Sequence, residues 1–352
     1  MRQKIEFARS HDNIRLAWTQ CGSGPVLVKA SNWLTHLQYD WKSSVWRHWM
    51  EFLGGHFHFV RFDERGCGMS DWEMGKISDD VWLPDLECVI EAADINEPFI
   101  LLGISQGAAA AIRYAVKYPD RISGLILYGG YARGWKRGGD TEEDRYYDAI
   151  VELMSRGWGD KRSEFRRMFA TQFIPDASEE QIAWFDDLCR KTTTGEIAAR
   201  LMDARAEVDV TDQLPRVCAP TLVIHARNDA LVPLAEGRQL AANIPDAQFV
   251  ELESANHILL EHEPAWEAFC SNVLKFSGLS SKTARVPFSQ LSPREADILA
   301  LICEGLSNAR IADRLCISEK TVRNNASNLF GKLGVKSRTE AMVHARDWGF
   351  WS

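Results

Sequence analysis

Three residue types that together perform acyl transfer occur in this chain in a suitable order. Ser105 stands in Gly103-Ile104-Ser105-Gln106-Gly107, after the apolar run Phe99–Leu102 and before an alanine-rich stretch. The run reads as a strand buried on both faces, the alanines as a helix. A serine at so sharp a strand-to-helix turn, a nucleophile elbow, holds strained backbone. The chain passes close on either side, so side chains at positions 103 and 107 would clash. The turn lifts the hydroxyl above the sheet's carboxyl end, and the helix aims free N–H groups at whatever it attacks. Such a hydroxyl needs a base to take its proton and a third group to fix the base's tautomer. His257 follows the apolar run Gln248–Leu252, and Asp229 follows Pro220–His225. Singly, Asp229 reads equally well as an Asx-turn residue and His257 as a solvated imidazole. In the order Ser, Asp, His, each beyond the carboxyl end of a strand, they read as a triad. His225 ends its strand and faces the core or the sheet edge, and His262 falls at a helix start.

The elements around these residues alternate. Strands are expected at Ile5–Ser10, Ile14–Gln20, Val26–Ala30, Phe57–Phe62, Phe99–Leu102, Ile122–Leu127, Pro220–His225 and Gln248–Leu252, with helices between most of them. Uniformly apolar strands alternating with helices signify a mostly parallel sheet covered on both faces. Residues 131–206 break the rhythm with four helical stretches and no strand, and are expected to form an inserted cap. Gly278 to Val286 is small, polar and aperiodic, so 278–287 reads as a linker. The segment beyond it is wholly helical.

Composition narrows the function classes. Of 352 residues, 45% are hydrophobic, enough for a sizeable core. Residues 286–352 hold nine Lys/Arg against seven Asp/Glu, leaving 32 against 42 elsewhere, so only the tail suits a polyanion. Eight cysteines form no C-x-x-C pair and read as reduced core residues, so no metal and no cofactor is expected. No apolar run approaches membrane-spanning length and the first residues lack a signal-peptide core, which points to the cytoplasm.

Residues 1–277 resemble the α/β-hydrolase superfamily. The likeness rests on the elbow, the Asp63-Glu64-Arg65-Gly66-Cys67-Gly68-Met69-Ser70 turn, the cap insertion and the Ser105, Asp229, His257 order. It implies an α/β-hydrolase fold whose oxyanion hole uses the backbone N–H groups of Gln106 and Trp33. Each such donor lowers the barrier by about 3 kcal/mol. The chain departs from its relatives at Ser31-Asn32, where most carry His-Gly, and the Asn32 side chain becomes a further candidate donor. Trp41, Trp46, Trp135, Trp158 and Trp184, with Trp33, are candidates for lining a pocket, though each alone reads as ordinary core.

In the tail, Ser292, Pro293 and Glu295 mark a strong helix start. A helix from Glu319 to Phe330 keeps Val322, Ala326 and Leu329 inside and puts Lys320, Thr321, Arg323, Asn324 and Ser327 outside. That outer face suits bases and phosphates of a major groove, with Lys332 and Arg338 adding charge. Periodicity alone serves a small protein–protein module equally well. Residues 288–345 resemble the LuxR-type helix-turn-helix, in Leu291-Ser292-Pro293-Arg294-Glu295, Ile311-Ala312, Ile317-Ser318, Thr321-Val322, Lys332-Leu333-Gly334-Val335 and Ser337-Arg338; Asn325 stands where relatives usually carry His. The likeness makes 288–352 a small all-α DNA-binding domain. It implies a homodimer on half-sites of double-stranded DNA, joined through the last helix, about 338–346. The expected whole is a transcription regulator whose first domain takes a small apolar or aromatic ligand. That domain either hydrolyses an ester, lactone or amide, or only senses it.

Overall fold

The computed structural model describes residues 3–75, 77–137, 139, 141–159, 164–279, 291–315, 317–333, 335 and 337–347. The chain divides into two compact units, Met1–Ser277 and Gly278–Ser352. Most of the linker expected at 278–287 lies outside the described residues, as do Cys316, Gly334 and Lys336.

The first unit is built on one eight-stranded sheet in the order β1-β2-β4-β3-β5-β6-β7-β8. Its strands are β1 (Lys4–Arg9), β2 (Arg15–Cys21), β3 (Val26–Lys29), β4 (His58–Phe62), β5 (Phe99–Ile104), β6 (Ile122–Tyr128), β7 (Thr221–Ala226) and β8 (Gln248–Leu252). β1 and β2 pair antiparallel, β2 meets β4 antiparallel, and every later pairing is parallel. The eight expected strands are all present, and the α/β-hydrolase reading of the fold holds.

All six residues of β5 are buried, because helices cover both of its faces. After the short turn α1 (Leu37–Asp40) come α2 (Arg47–His56), α3 (Trp82–Ala92) and α4 (Gly107–Lys117). After the cap come α9 (Leu234–Asn243) and α10 (Pro264–Phe276). Leu86, Val89 and Ile90 of α3 pack with the alanines of α4 and Leu240 of α9 against Phe99, Leu101, Leu125 and Val223. Elsewhere Trp49 of α2 and Phe269 of α10 pack on Tyr128 at ring separations of 5.4 Å each, and on one another at 4.7 Å.

Between β6 and β7 lie four helices, α5 (Thr141–Gly157), α6 (Glu164–Phe173), α7 (Glu179–Thr192) and α8 (Gly195–Ala206). Ser178 and Gln181 form a capping box on α7, and the Thr194 hydroxyl caps α8. The loop after β4 is the receptor for this cap. Asp63 Oδ2 accepts the N–H groups of Leu37 and Met69, at 3.0 and 2.9 Å, and folds the loop back on itself. Gly68 sits at φ +57°, where a Cβ would lie 2.3 Å from Asp63 Oδ2. The Gly68 N–H donates to Thr192 O at 2.7 Å and the Thr193 hydroxyl to Gly66 O at 2.7 Å, joining cap to loop.

The second unit contains α11 (Pro293–Cys303), α12 (Asn308–Leu315), α13 (Glu319–Leu333) and α14 (Arg338–Asp347) around Ile298, Ile302, Ile311, Val322, Leu329 and Ala341. The Ser292 hydroxyl accepts the Glu295 N–H and the Glu295 carboxylate accepts the Ser292 N–H, the capping box read from sequence. Gly305 at φ +79° ends α11.

Arg65 is fully enclosed in the post-β4 loop. It donates to Asp85 from Nε (2.7 Å) and Nη2 (2.5 Å) and to Asp12 from Nη1 (2.7 Å). Replacing Arg65 by Met strands a buried Asp85 carboxylate, so Arg65→Met is expected to lower unfolding free energy by about 3–5 kcal/mol. The urea midpoint measures this; a loss below about 1 kcal/mol would mean the pair does not hold the loop.

Candidate active site

Ser105 follows β5 directly and has φ +52°, a left-handed conformation costly for a residue with a Cβ. Its N–H donates to Tyr128 O at 2.8 Å and its carbonyl accepts the Ala108 N–H at 3.0 Å. A Cβ on Gly103 would sit 2.8 Å from Ala108 Cα, and one on Gly107 would sit 2.9 Å from Ser31 O. At both positions backbone stands within 3 Å of where a Cβ would lie. Gln106 precedes the first turn of α4 with no side-chain cap. Among the described residues, the backbone N–H groups of Gln106 and Trp33 donate to no protein acceptor.

Asp229 lies in the loop after β7. Its Oδ1 accepts the N–H groups of Leu231 and Val232, both at 2.9 Å, which locks the carboxylate. Its Oδ2 lies 2.7 Å from His257 Nδ1. Burial raises the Asp229 pKa, but His257 and the two amides outweigh it, and the group is held below the ordinary carboxylate range. His257 is almost wholly enclosed. Its N–H donates to Phe173 O at 2.8 Å and its ring meets the Phe173 ring edge-on at 5.6 Å, so the end of α6 backs it. Gly129 leaves room for the ring, since a Cβ there would lie 3.1 Å from His257 Cε1. His257 Nε2 is buried and has no hydrogen-bond partner. His225 is in the core, its Nε2 2.9 Å from Val232 O. Burial pushes its pKa down.

A cavity of about 220 Å³ opens over Ser105 and Gln106. A void of about 150 Å³ accepts benzene, so this one suits a ring with a short chain. Its apolar wall includes Trp33, Trp135, Phe169, Phe173, Met202 and Val232. Trp135 stacks on Tyr147, also in the wall, at 4.6 Å. Trp158 stands behind, stacked on Trp33 at 5.4 Å. The other tryptophan candidates do not line it. Trp41 donates to Gln3 Oε1 at 2.5 Å, Trp46 packs on Trp49, and Trp184 stacks on Tyr39 at 4.9 Å. Asn32 also lies outside the cavity wall. Its Oδ1 accepts from Lys29 Nζ and its Nδ2 donates to Trp33 O at 3.0 Å, which ties the amide to the loop's own fold. The polar wall residues Arg133, Arg205, Glu236 and Gln239 carried no sequence signal, being solvated helix or loop residues by pattern.

In the second unit, Lys320, Thr321, Arg323, Asn324 and Ser327 are exposed on α13, while Val322, Ala326, Leu329 and Leu333 are buried. Lys332 and Arg338 are engaged internally. Lys332 Nζ pairs with Glu295 Oε2 at 2.7 Å, and Arg338 donates to Asn308 Oδ1 at 3.2 Å and to Leu306 O. Among the described residues no cluster of His, Cys, Asp and Glu fits a metal, and no helix is long and apolar enough to cross a membrane.

Two family models match the chain. The model described as serine aminopeptidase, S33, covers residues 44–265, and that described as bacterial regulatory proteins, luxR family, covers 289–345. A pyrrolizixenacetamide deacetylase of Xenorhabdus hominickii is 26% identical over 245 residues, 68% of this chain and 87% of that protein. The DNA-binding transcriptional activator DevR/DosR of Mycobacterium tuberculosis is 30% identical over 161 residues, 46% of this chain and 66% of that protein. A solved hydrolase from Pseudomonas aeruginosa PA01 is 24% identical with a TM-score of 0.65, covering 78% of this chain and 98% of its own.

Gly107→Val forces a branched side chain against Ser31 O and Ala30 O. It is expected to lower the thermal midpoint of the first unit by several degrees, on the order of 1–3 kcal/mol. Calorimetry checks this, and an unchanged midpoint would show that the turn yields.

Proposed function

Since the chain belongs to the hydrolase family described as serine aminopeptidase, S33, and carries a LuxR-type regulatory domain at 289–345, we propose that it is a transcription regulator with a working serine-hydrolase unit. The unit binds and hydrolyses a small apolar or aromatic ester, lactone or amide. Ser105 Oγ attacks the acyl carbon while His257 Nε2 takes its proton. Asp229 keeps the His257 proton on Nδ1 and stabilises the imidazolium. The N–H groups of Gln106 and Trp33 receive the tetrahedral oxygen. Collapse of that intermediate passes the His257 proton to the leaving oxygen or nitrogen, and water then repeats the sequence on the acyl-enzyme. The observation that carries this reading is the 2.7 Å bond from His257 Nδ1 to Asp229, which leaves Nε2 buried and open. The deacetylase relative adds amides to the candidate substrates.

A second reading keeps the pocket and drops turnover. It is favoured by His257 Nε2 having no partner, the Ser105 hydroxyl included. In it, occupancy alone shifts DNA affinity. A fluorophosphonate probe separates the two. A covalent adduct on Ser105, absent from Ser105→Ala and slowed at least about 100-fold in His257→Ala, is the expected result. No adduct on folded protein overturns the catalytic reading and leaves the sensor.

DNA is read by the exposed face of α13, by a homodimer joined through α14. Arg323→Ala is expected to weaken binding to a duplex selected by the wild-type protein by about 1–3 kcal/mol, with unchanged helicity. Unaltered affinity would remove Arg323 from the interface.

A further inference from the structure

We propose that the ligand carries a second oxygen acceptor, a carbonyl or carboxylate several atoms from its acyl group, and that Arg205 holds it. The inference rests on the cavity over Ser105 being the ligand site.

Arg205 lies in the last turn of α8 and is 2% exposed, yet it forms part of the cavity wall. Only its Nη2 donates to Glu64, reaching both oxygens at 2.6 and 2.5 Å, and Oε1 also accepts from Trp82 Nε1 at 2.8 Å. Its Nε and Nη1 are buried and have no partner. The guanidinium carbon lies 5.2 Å from the Trp33 ring centre and 5.5 Å from that of Trp82, so two indoles restrict its plane. Buried N–H groups are almost always paired, and an unpaired set beside a cavity marks where an acceptor belongs. Glu64 already balances the charge, so a neutral carbonyl suffices and a carboxylate is accepted equally by the fork. Arg133, also in the wall, is a weaker candidate, being more than a third exposed and 3.8 Å from Asp209. Trp33 links the two ends of the ligand: its backbone N–H is a candidate oxyanion donor and its ring carries Arg205.

The test uses three anilides of matched length, pentananilide, 4-oxopentananilide and succinanilic acid. Calorimetry on full-length Ser105→Ala keeps them intact. The oxo or the acid probe is expected to bind at least about tenfold more tightly than pentananilide, the equivalent of one added hydrogen bond. Tighter binding of the oxo probe alone assigns a carbonyl, and of the acid alone a carboxylate. Adding Arg205→Lys keeps the charge opposite Glu64 but removes the planar fork. It is expected to bring the three within about threefold. Equal binding of all three, no binding of any at millimolar concentration, or a preference that survives Arg205→Lys overturns the proposal. The first two outcomes need no variant at position 205, so misfolding cannot mask them. Fluorophosphonate labelling of Ser105 is independent of them: selective binding without labelling sinks turnover alone, and labelling without selectivity sinks the Arg205 assignment alone.

Discussion

One residue held at φ +52° sets the terms for the first unit. Left-handed backbone costs a non-glycine residue about 1–2 kcal/mol. The offset comes from its surroundings. The Ser105 N–H is bonded to the end of β6, its carbonyl to α4, and glycines at 103 and 107 let the main chain pass within contact distance. A relaxed turn would place residue 105 elsewhere and tilt the first turn of α4. The same strain thus fixes both the position of the hydroxyl and the neighbouring amide of Gln106.

The sheet alone does not complete the site. His257 hangs its N–H on the last carbonyl of α6, and Trp33, Phe169 and Arg205 close the cavity from loop and cap. The cap is in turn clamped to the post-β4 loop through Thr192, Thr193 and the buried Arg205–Glu64 pair. The turn Asp63–Ser70 therefore shapes a cavity it does not line. Its glycines and Asp63 shape a surface on which cap residues far along the chain settle.

The strands and the elbow were legible because their signals are local: period, glycine spacing and a capping box each act within a few residues. The His257–Asp229 contact was legible through topology, since parallel strands deliver their following loops to one edge. The cavity wall was not. Arg205 is separated from Glu64 by 141 positions, and nothing local in its helix names that partner. Trp41, Trp46 and Trp184 do not line the cavity because each indole meets another partner first: Gln3 for Trp41, Trp49 in the core for Trp46, and the Tyr39 ring for half-buried Trp184. Lys332 and Arg338 have the charge for phosphate, but the Glu295 cap and the Leu306 carbonyl hold them first. A basic residue's charge is visible in sequence; its partner is not.

Among the buried polar atoms of the first unit that lack a partner are His257 Nε2, which belongs to the Asp229-bonded imidazole, and the Nε and Nη1 of Arg205 in the cavity wall. Leaving such groups unpaired in a protein interior costs about 1–3 kcal/mol each. A ligand that engages both ends removes that cost, and does so only where cap and sheet are assembled, because α8 supplies Arg205 and α6 backs His257. Such a ligand would stabilise the folded first unit by mass action, since the groups that receive it come together only in that state. On the proposed function, hydrolysis would reverse that linkage. Cleaving the acyl bond divides one molecule that spans both groups into two that each reach one, so the product loses the advantage the intact ligand had. If the proposed hydrolysis holds, catalysis and ligand response need not be rival uses of this cavity, because turnover would set how long the occupied state lasts.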